Sequence, residues 1–418
     1  VRQIMNIPDV GHLTEDDIGQ ADTGEDKMLK AALREKKTPL EIAQFYTDIF
    51  FRDAQSLNLK KAAYYPRATA HIPQMIKLTQ ALLEKGLAYE KNGNVFYDVQ
   101  KFSGYGRLSG KKLEDLKNGA RLEDHPDKKN PFDFALWLKA PKEHILKWES
   151  PWSLGYPGWH IECSAMSMEY LGQSMDIHTG GEDHIFPHHE NEIAQSEGCT
   201  GEKFSRFWMH VRFLLVDNQK MSKSKGNFFT LQNVLEKGYS PMAFRLLILS
   251  AHYRSSLNFT WSAMQQAQKN WEKIRRFVDK MREIEAEKKD LPNREDLDFS
   301  LWQEKIQSAL DDDLNSPLAI SHLYELISEV NKDIADGVFD SQEAVKALAF
   351  WEKINRSLGF KLEKKTLSLP KTIQTLLDQR KTAREKKDFD LADQLRQALE
   401  KEGFSVVDTT LDQIVKQQ

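Results

Sequence analysis

The sequence predicts an α/β fold in the first half of the chain and an almost wholly helical second half. Residues 213–216 form a short apolar run typical of a buried strand, and a loop rich in lysine and serine follows soon after. Ligands bind at the carboxyl ends of strands in open α/β sheets. After Pro241 the pattern becomes helical, and residues 262–287 carry apolar side chains at the spacing of an amphipathic helix.

The elements before that loop include both helices and a strand. Residues 22–52 have a helical pattern, and a linker at 57–65 leads to a second helix at about 72–86. The Asn-Gly-Asn turn at 92–94 then predicts a hairpin whose second strand is 95–99. This order of elements is typical of a chain that is composed of several small α/β segments.

Composition and charge exclude several classes of protein. The chain has 418 residues, 40% hydrophobic and 29% charged, which is typical of a folded protein with roughly two to four domains. No apolar run approaches the ~20 residues of a membrane span, so we expect no membrane contact. Two cysteines give no disulfide framework, which suits the cytoplasm. A net charge of −4 disfavours non-specific nucleic-acid binding, so an RNA partner would meet local basic faces.

The loop Lys-Met-Ser-Lys-Ser is the most specific chemical feature of the chain. Lys220 and Lys223 are three residues apart, with Ser222 and Ser224 beside them. Two such cations can bind the triphosphate of ATP and neutralise the charge that develops in nucleotidyl transfer. A solvated surface loop is the alternative explanation for a lysine pair. Five specified residues followed by Gly-Asn favour the catalytic, ATP-binding interpretation.

A cysteine, a histidine and a glutamate between positions 160 and 195 offer three ligand types that zinc accepts. Pro187 is well placed at a first helical position, so His188 begins a helix and Glu192 follows one turn later on the same face. Cys163 adds a thiolate to this imidazole and carboxylate, and zinc accepts all three ligand types. A buried cysteine beside histidines that satisfy the core is the alternative, and chemistry alone leaves both open.

Four blocks of sequence carry a family resemblance. They are PGWHIECSAM at 157–166, FPHHENEIAQ at 186–195, KMSKSKGNF at 220–228 and HYRSSLNFT at 252–260. Together they resemble the cysteinyl-tRNA synthetases, a family of class I aminoacyl-tRNA synthetases, and the resemblance extends over nearly the whole chain. It implies a Rossmann-like catalytic domain with an inserted domain, followed by an α-helical bundle and a small C-terminal domain.

The resemblance also suggests where the domains begin and end. Residues 380–387 hold five basic side chains, which fits an RNA-facing surface, although a solvated helix face is the alternative. Residues 311–317 resemble an acidic turn of the family's helical bundle, and we assign them to helix capping. The predicted segments are a catalytic domain at 1–66 and 150–235, an inserted connective domain at 67–149, a connecting element at 236–262, a helical bundle at 263–365 and an anticodon-side domain at 366–418.

Single residues acquire roles from the same resemblance. One zinc ion per chain would hold the substrate's thiolate, with Cys163, His188 and Glu192 as three of its four ligands. Mg-ATP is the implied second substrate at the lysine-serine loop. The remaining implied roles are Trp159 as a wall of the side-chain pocket, Asp183 as the partner of the substrate ammonium, and His160 and His178 as catalytic histidines that line the adenylate site.

A metal would explain how such an enzyme selects cysteine. Cysteine and serine differ mainly in sulfur against oxygen, and a hydrophobic pocket discriminates such small differences by only about 1–3 kcal/mol. Zinc binds a thiolate strongly and lowers the pKa of a coordinated thiol, whereas a serine hydroxyl stays protonated. We therefore expect selection in one step, without an editing site in the insertion.

The sequence departs from the family pattern in several places. We find no His-Ile-Gly-His-like first signature and no Cys-Gly-x-Thr-Val-Tyr strand, so the fourth zinc ligand is missing from this sequence. Residues 1–10 match the family's second strand, which implies that about 60 residues would precede them. Pro8 stands where the family usually has threonine, which leaves amino-acid recognition there open. We interpret Cys199, the other cysteine, as a loop residue and not as a replacement ligand.

The function implied by the resemblance is that of a cysteine–tRNA ligase. Cysteine and ATP would give cysteinyl-adenylate, and the cysteinyl group would then pass to the 3′ end of tRNA(Cys). Two alternatives remain open: a cysteine-activating ligase that acts on an amino sugar, and a non-catalytic tRNA-binding fragment. We expect a cytoplasmic monomer.

Overall fold

The structure is a computed structural model that describes residues 1–10, 35–112, 125–142, 144–222, 226–288, 291, 297–362, 370–386, 388–408 and 413–417. These residues fall into two units. The first unit is Val1–Gln232 with Tyr253–Phe259, and the second is Asn233–His252 with Thr260–Gln418. The predicted α/β first half and helical second half are confirmed.

Helix α1 (Pro39–Ser56) begins where the local sequence dictates. The Thr38 hydroxyl accepts a hydrogen bond from the Glu41 N–H, and the Glu41 carboxylate accepts one from the Thr38 N–H at 2.7 Å. The prediction of one helix over 22–52 is wrong, because Lys36 has a φ of 53° and Thr38 is extended before Pro39. The part of that prediction at 22–34 lies outside the described residues.

An antiparallel sheet forms the inserted segment, after helix α2 (Ile72–Glu84). Strands β1 (Ala88–Lys91), β2 (Asn94–Tyr97), β3 (Phe134–Lys139) and β4 (Gly155–Pro157) lie in the order β1-β2-β3-β4. The two residues between β1 and β2 have φ values of 55° and 87°, as a tight hairpin turn requires. The predicted hairpin is confirmed, although its second strand ends at residue 97 and not at 99.

The core of the first unit lies between α2, this sheet and helix α3 (Trp159–Leu171). Leu82, Trp137 and Ile161, one from each, are fully buried. Helix α3 starts directly after β4, and a Cβ on its N-cap, Gly158, would collide with the backbone of β3. Close packing of this kind fixes the start of α3 and so the positions of the polar residues on it.

A parallel β-α-β unit follows. Strands β5 (Met175–Gly181) and β6 (Ser205–Val211) pair in parallel, and helix α4 (Glu190–Thr200) connects them. Both strands therefore end at the same edge of the sheet, where ligands bind in α/β folds. The prediction that Cys199 is a loop residue is wrong: it lies in the last turn of α4, which continues until Gly201 supplies a left-handed cap with a φ of 77°.

A small three-stranded sheet precedes the lysine-serine loop. Strand β7 (Leu214–Val216) pairs antiparallel with β8 (Gln219–Lys220) and parallel with β9 (Leu257–Phe259). The predicted strand at 213–216 is confirmed in part, since Val216 is its one fully buried residue among these described positions. Lys220, which was predicted in the loop, is instead the last residue of β8. The loop therefore follows β8 and does not follow β7 directly.

Helices dominate the second unit. The predicted amphipathic helix is confirmed, because Trp271, Ile274 and Phe277 are buried on one face. The capping role assigned to 311–317 is also confirmed, since the Asn315 side chain accepts a hydrogen bond from the Leu318 N–H at 3.2 Å. Within the described residues, no helix has the length and apolar character that a membrane span requires. The helices after the lysine-serine loop are α5 (Leu231–Glu236), whose first two residues belong to the first unit, α6 (Pro241–Leu249), α7 (Trp261–Glu287), α8 (Phe299–Asp311), α9 (Ser316–Ala335) and α10 (Ser341–Leu358).

The C-terminal part consists of α11 (Lys371–Glu385), α12 (Phe389–Lys401) and a hairpin of β10 (Phe404–Asp408) with β11 (Gln413–Gln417). The predicted basic face over 380–387 needs a correction, because Arg380 is only 1% exposed and does not face solvent. The apolar cluster that these elements share comprises Ile373, Leu377, Leu399, Phe404 and Val406.

Asp340 should stabilise the second unit by capping α10. Its side chain accepts from the Glu343 N–H at 3.0 Å, and this hydrogen bond lowers the pKa of the Asp340 carboxyl. We expect Asp340→Ala to cost about 1 kcal/mol in the free energy of unfolding, measured by urea denaturation. Because the pKa is depressed in the folded state, this difference should be full at neutral pH and fade as the pH falls through the folded-state pKa. Asp340→Asn, which keeps an acceptor, should cost much less; equal losses would contradict the capping role.

Candidate active site

The candidate active site is built from α3, β5 and the approach to α4. Helix α3 contributes Cys163 and β5 contributes His178. Helix α4 begins at Glu190, two residues later than predicted, but the backbone of His189 is already helical, with φ −68° and ψ −30°. His188 and Glu192 therefore share one face as the sequence predicted, and they form an i,i+4 pair.

Cys163, His188 and Glu192 come together as one group. The ligand atoms of the three side chains all lie within 4.8 Å of one another. The His188 Nε2 to Glu192 Oε1 distance is 2.8 Å, and both side chains are almost fully buried. Two of these residues belong to one helical turn, but the third comes from a different helix, so folding alone creates the group.

Burial controls the protonation of this group. It raises the pKa of the Cys163 thiol well above its usual range, and the Glu192 carboxylate adds to this effect. Burial also works against ionisation of Glu192, but His178 and His188 outweigh it and hold the pKa of Glu192 well below its usual range. The group thus combines a carboxylate with a thiol that needs a cation beside it to ionise at neutral pH.

His160 and Trp159 support His188 from the start of α3. His160 Nδ1 lies 2.8 Å from His188 Nδ1, within hydrogen-bonding distance, while the opposite nitrogen of His188 faces Glu192. The Trp159 ring centroid lies 4.5 Å from that of His188. The indole of Trp159 therefore covers one face of the His188 imidazole, and His160 holds the Nδ1 atom of His188. This is the arrangement that orients metal-binding histidines.

A second histidine group shares Glu192. His178 Nε2 lies 2.9 Å from Glu192 Oε2, so the carboxylate bridges His178 and His188. His178, His189 and Glu192 form the other described group whose ligand atoms lie within 4.8 Å of one another. His189 also pairs with His210 at 2.8 Å, and burial lowers the pKa of His189 to about 2, which keeps it neutral.

The sequence interpretation assigned neither His189 nor His210 to the site, and considered His189 only as a histidine that satisfies the core. The parallel register of β5 and β6 places His210 directly opposite Gly180. A Cβ on Gly180 would lie 2.6 Å from the ring of His189, so glycine there leaves room for the imidazole. The sequence signal was the Gly-Gly pair at the end of β5, but its meaning depends on a strand pairing that no local pattern specifies.

Asn6 is a further residue that sequence reasoning did not identify. Its side-chain amide donates a hydrogen bond to Cys163 Sγ at 3.3 Å. The N-terminal segment is held in place by parallel bridges from Ile4 to Tyr64 and from Ile7 to Arg67. Pro8, the departure noted in the sequence, is exposed two residues beyond Asn6.

Asp183, predicted to receive the substrate ammonium, lies just after β5. It belongs to a short 3₁₀ turn, Glu182–His184, and is half-buried. Burial lowers the pKa of the neighbouring His184, and the charge of Asp183 partly offsets this effect by raising it. Asp183 is thus near the histidines, on the segment that connects β5 to the metal-type group, and its substrate role stays a prediction.

The described part of the lysine-serine loop is closed by Asn227. Its side-chain oxygen accepts from the Ser222 N–H at 2.9 Å, and its amide donates to the Lys220 carbonyl at 3.2 Å. The Lys220 Nζ lies 5.2 Å from the centroid of the Phe213 ring. The predicted ATP-binding residues Lys223 and Ser224 lie outside the described residues.

The donor set fits zinc. A thiolate, an imidazole and a carboxylate are all zinc ligands, and the three converge in a buried place. The nitrogen donor and the sulfur donor each have a supporting contact, from His160 and Asn6 respectively. Neither described metal-type group includes Cys199.

His160→Ala should weaken zinc binding without removing a ligand. Loss of the nitrogen that holds His188 should lower zinc affinity on the order of 10–100-fold, the usual effect of losing such a supporting partner. Competition with a chromophoric chelator measures this directly. His322→Ala, at a partly exposed position on α9, is the control and should bind zinc like the parent protein. Equal affinity in both variants would remove the supporting role from His160.

Comparison with known families gives three matches along the chain. Residues 20–269 match the tRNA synthetases class I (C) catalytic domain, residues 305–363 match the DALR domain, and residues 366–415 match the cysteinyl-tRNA ligase anticodon binding domain. The first match alone covers more than half of the chain.

Proteins named cysteine–tRNA ligase are similar to this chain over most of their length. The chain is 44% identical over 402 residues to the cysteine–tRNA ligase of Chlorobaculum tepidum, an alignment that covers 93% of this chain and 80% of that protein. It is 41% identical over 401 residues to a cysteine–tRNA ligase of Thermus thermophilus, covering 93% of this chain and 81% of that protein.

Solved structures agree on the fold. The chain resembles Mycobacterium tuberculosis methionyl-tRNA synthetase bound by methionyl-adenylate, with a TM-score of 0.57 and 14% identity over 80% of this chain and 76% of that chain. At this identity the likeness concerns the fold alone. The family matches and the close relatives together show that the chain belongs to the cysteinyl-tRNA ligases, a family of class I aminoacyl-tRNA synthetases.

Proposed function

We propose that this protein activates cysteine with ATP and transfers it to the 3′ end of tRNA(Cys). The observation that carries the proposal is the convergence of Cys163, His188 and Glu192 within 4.8 Å, beside Trp159. A thiol that a bound metal would ionise, an imidazole and a carboxylate provide what selection of a thiol through a metal needs. The proposed occupant is one zinc ion, and its chemistry when bound is to hold the sulfur of the substrate as a thiolate.

The protein's own residues prepare that selection. Asn6 donates to Cys163 Sγ, and His160 fixes the ring of His188, so the donors are held before any substrate arrives. Burial opposes protonation of His178, but the Glu192 carboxylate outweighs it and raises the pKa of His178. The same contact, together with that from His188, favours the ionised form of Glu192.

Activation would use positioned charges more than covalent chemistry. The cysteine carboxylate attacks the α-phosphorus of Mg-ATP, the bond to pyrophosphate breaks, and cysteinyl-adenylate forms. Lys220 and Lys223 would neutralise the phosphates, with Ser222 and Ser224 as further donors. Asp183 would accept hydrogen bonds from the substrate ammonium. In the second step a hydroxyl of the terminal adenosine of tRNA attacks the carbonyl, and AMP leaves.

Two other functions make different predictions. A ligase that passes cysteine to an amino sugar would share the metal-type group but would not need an RNA-binding C-terminal part. The match of residues 366–415 to an anticodon binding domain weighs against it. A non-catalytic fragment would bind tRNA without activating cysteine.

Pyrophosphate exchange and charging assays separate these functions. With zinc-loaded protein, we expect ATP–pyrophosphate exchange that depends on cysteine and is far weaker with serine. We then expect transfer of radioactive cysteine to a tRNA(Cys) transcript and none to an amino-sugar acceptor. Exchange without charging of tRNA would favour the amino-sugar ligase. tRNA binding without any exchange would leave the non-catalytic function, and the proposal would fall.

A further inference from the structure

A loop of the inserted segment packs on helix α4, which carries part of the metal-type group. The loop consists of residues 102–110, between strands β2 and β3 in the sequence. Its side chains and backbone contact positions 186, 190, 191 and 197. These positions lie on both sides of His188 and Glu192, so the loop brackets the two ligands that come from this part of the chain.

Glu190 is the central contact between the loop and α4. It is the first residue of the helix and is fully buried, and each of its carboxylate oxygens accepts a backbone hydrogen bond from the loop. The Gly106 N–H donates to Oε2 at 3.0 Å, and the Ser109 N–H donates to Oε1 at 2.7 Å. Burying a carboxylate without such partners is costly, so the position of Glu190 depends on the docked loop.

The backbone of the loop is shaped for this contact. Gly106 has a φ of 89°, a conformation that favours glycine, and a Cβ there would collide with the backbone of Lys111. Glycine at this position therefore allows a turn in which two N–H groups, three residues apart, point at one carboxylate. Backbone N–H groups arranged in this way form a concave site for an anion.

Tyr105 adds a second contact beside the first. Its hydroxyl donates to Asn191 Oδ1 at 2.6 Å, and its ring packs edge-on against Phe186, with 6.4 Å between the ring centroids. Burial raises the pKa of Tyr105, and the charge of Glu190 adds to this effect, so the hydroxyl stays protonated and can donate. The loop therefore also holds the segment that leads to His188.

The two ligands near the start of α4 depend on these contacts for their position. His188 lies two residues before Glu190, and Glu192 lies two residues after it. A backbone shift at Glu190 would therefore move both donors, whereas Cys163 belongs to a different helix. A zinc site tolerates changes of only about 0.2 Å in its donor distances, so such a shift would weaken metal binding.

We propose that Glu190 is a positioning residue, through which the 102–110 loop holds His188 and Glu192 opposite Cys163 in the arrangement that zinc requires. The inference rests on the proposed function, because that function supplies the zinc ion. It gives the inserted segment a part in the selection of cysteine that needs no editing site, since the loop acts through α4.

The test is Glu190→Gln in the full chain. Glutamine keeps the size of the side chain, but its amide nitrogen cannot accept from a backbone N–H, so one of the two loop contacts is lost. We expect zinc affinity, measured by competition with a chromophoric chelator, to fall on the order of 10-fold. We also expect the Co²⁺-loaded variant to show shifted and weaker visible absorption bands, because these bands depend on the geometry of the donors.

Glu197→Gln is the matched control. It makes the same substitution on the same helix and also weakens a contact with the loop, because Arg107 donates to the two oxygens of Glu197 at 2.9 and 3.1 Å. Glu197 lies seven residues beyond Glu190, about 10 Å along the helix axis. It should keep the parent zinc affinity and the parent Co²⁺ spectrum. Equal losses in both variants would overturn the proposal, as would parent-like zinc binding in Glu190→Gln.

A thermal melt separates positioning from stability. A purely stabilising contact predicts a lower Tm for Glu190→Gln with an unchanged Co²⁺ spectrum in the folded protein, and that result would overturn the proposal. If Glu190→Gln does not fold, Tyr105→Phe decides, because it removes only the hydroxyl that donates to Asn191. Zinc binding should then be about threefold weaker, the effect of one neutral hydrogen bond. Parent-like zinc binding in Tyr105→Phe would contradict the inference.

Metal binding keeps this test separate from the proposed function, because neither the affinity nor the spectrum needs cysteine activation. A parent protein that binds zinc without cysteine-dependent pyrophosphate exchange would contradict the proposed function, and the comparison of Glu190→Gln with Glu197→Gln would still decide the role of Glu190. Exchange in the parent protein with equal zinc affinity in all three proteins would contradict only the positioning role. A parent protein that binds neither zinc nor Co²⁺ would overturn this inference and the proposed zinc site together.

Discussion

Cys163→Ser should remove bound zinc and reduce the selection of cysteine over serine. Serine keeps the size of the side chain but replaces a soft thiolate with a hydroxyl that zinc binds weakly. We expect zinc content to fall from about one per chain to near zero after dialysis against a chelator. We also expect kcat/KM for cysteine activation to fall by at least about 10²-fold, while activation of serine changes little.

Cys199→Ser is the matched control for this prediction. It makes the same chemical change in the last turn of α4, at a cysteine that belongs to neither described metal-type group. Zinc content and the cysteine-to-serine ratio should both stay at the parent values. If Cys163 had only a structural role, Cys163→Ser would cost about 1 kcal/mol of stability and leave zinc and discrimination intact. That result would mean that Cys163 has only a structural role.

Lys223→Ala should slow adenylate formation on the order of 10²–10³-fold, the range for losing one positioned charge donor. The lysine would meet phosphate and not thiol, so the affinity for cysteine should change little. Single-turnover measurements give the rate of the chemical step, and the tryptophan fluorescence change on cysteine binding gives the affinity.

The control for Lys223 lies in the same loop. Lys225→Ala removes the same charge two positions later, outside the five-residue signature, and should have a much smaller effect on the rate. Similar losses in both variants would mean that the loop contributes only general positive charge. An unchanged rate in Lys223→Ala would contradict the assignment of Lys223 to ATP binding.

Local patterns were enough for several of the helices and strands. The amphipathic spacing of 262–287 identified α7, and the turn at 92–94 identified the β1–β2 hairpin. These patterns depend on residues within one or two turns of each other, which is the range over which a sequence can be interpreted alone. The break at Thr38 and the continuation of α4 through Cys199 were missed, because a cap or a helix end can override a longer pattern.

Chemistry and spacing also identified part of the candidate site. His188 and Glu192 were predicted to share a face, and they do, because a helix fixes an i,i+4 pair. The burial of Arg380, in contrast, was not predicted from the sequence. A run of basic residues on a helix predicts exposure only on average, and the packing of neighbouring elements decides each side chain.

By itself, the sequence determined the family, the division into an α/β first half and a helical second half, and the types of residue available for chemistry. Only the tertiary structure decided which of them meet. Asn6 reaches Cys163 across 157 residues, and His189 reaches His210 because β5 and β6 pair in one register and not another. Such contacts depend on how distant elements pack, and a shift of one residue in a strand would reverse every side chain on it. The zinc-type site is therefore specified by its residues locally but assembled only by the fold.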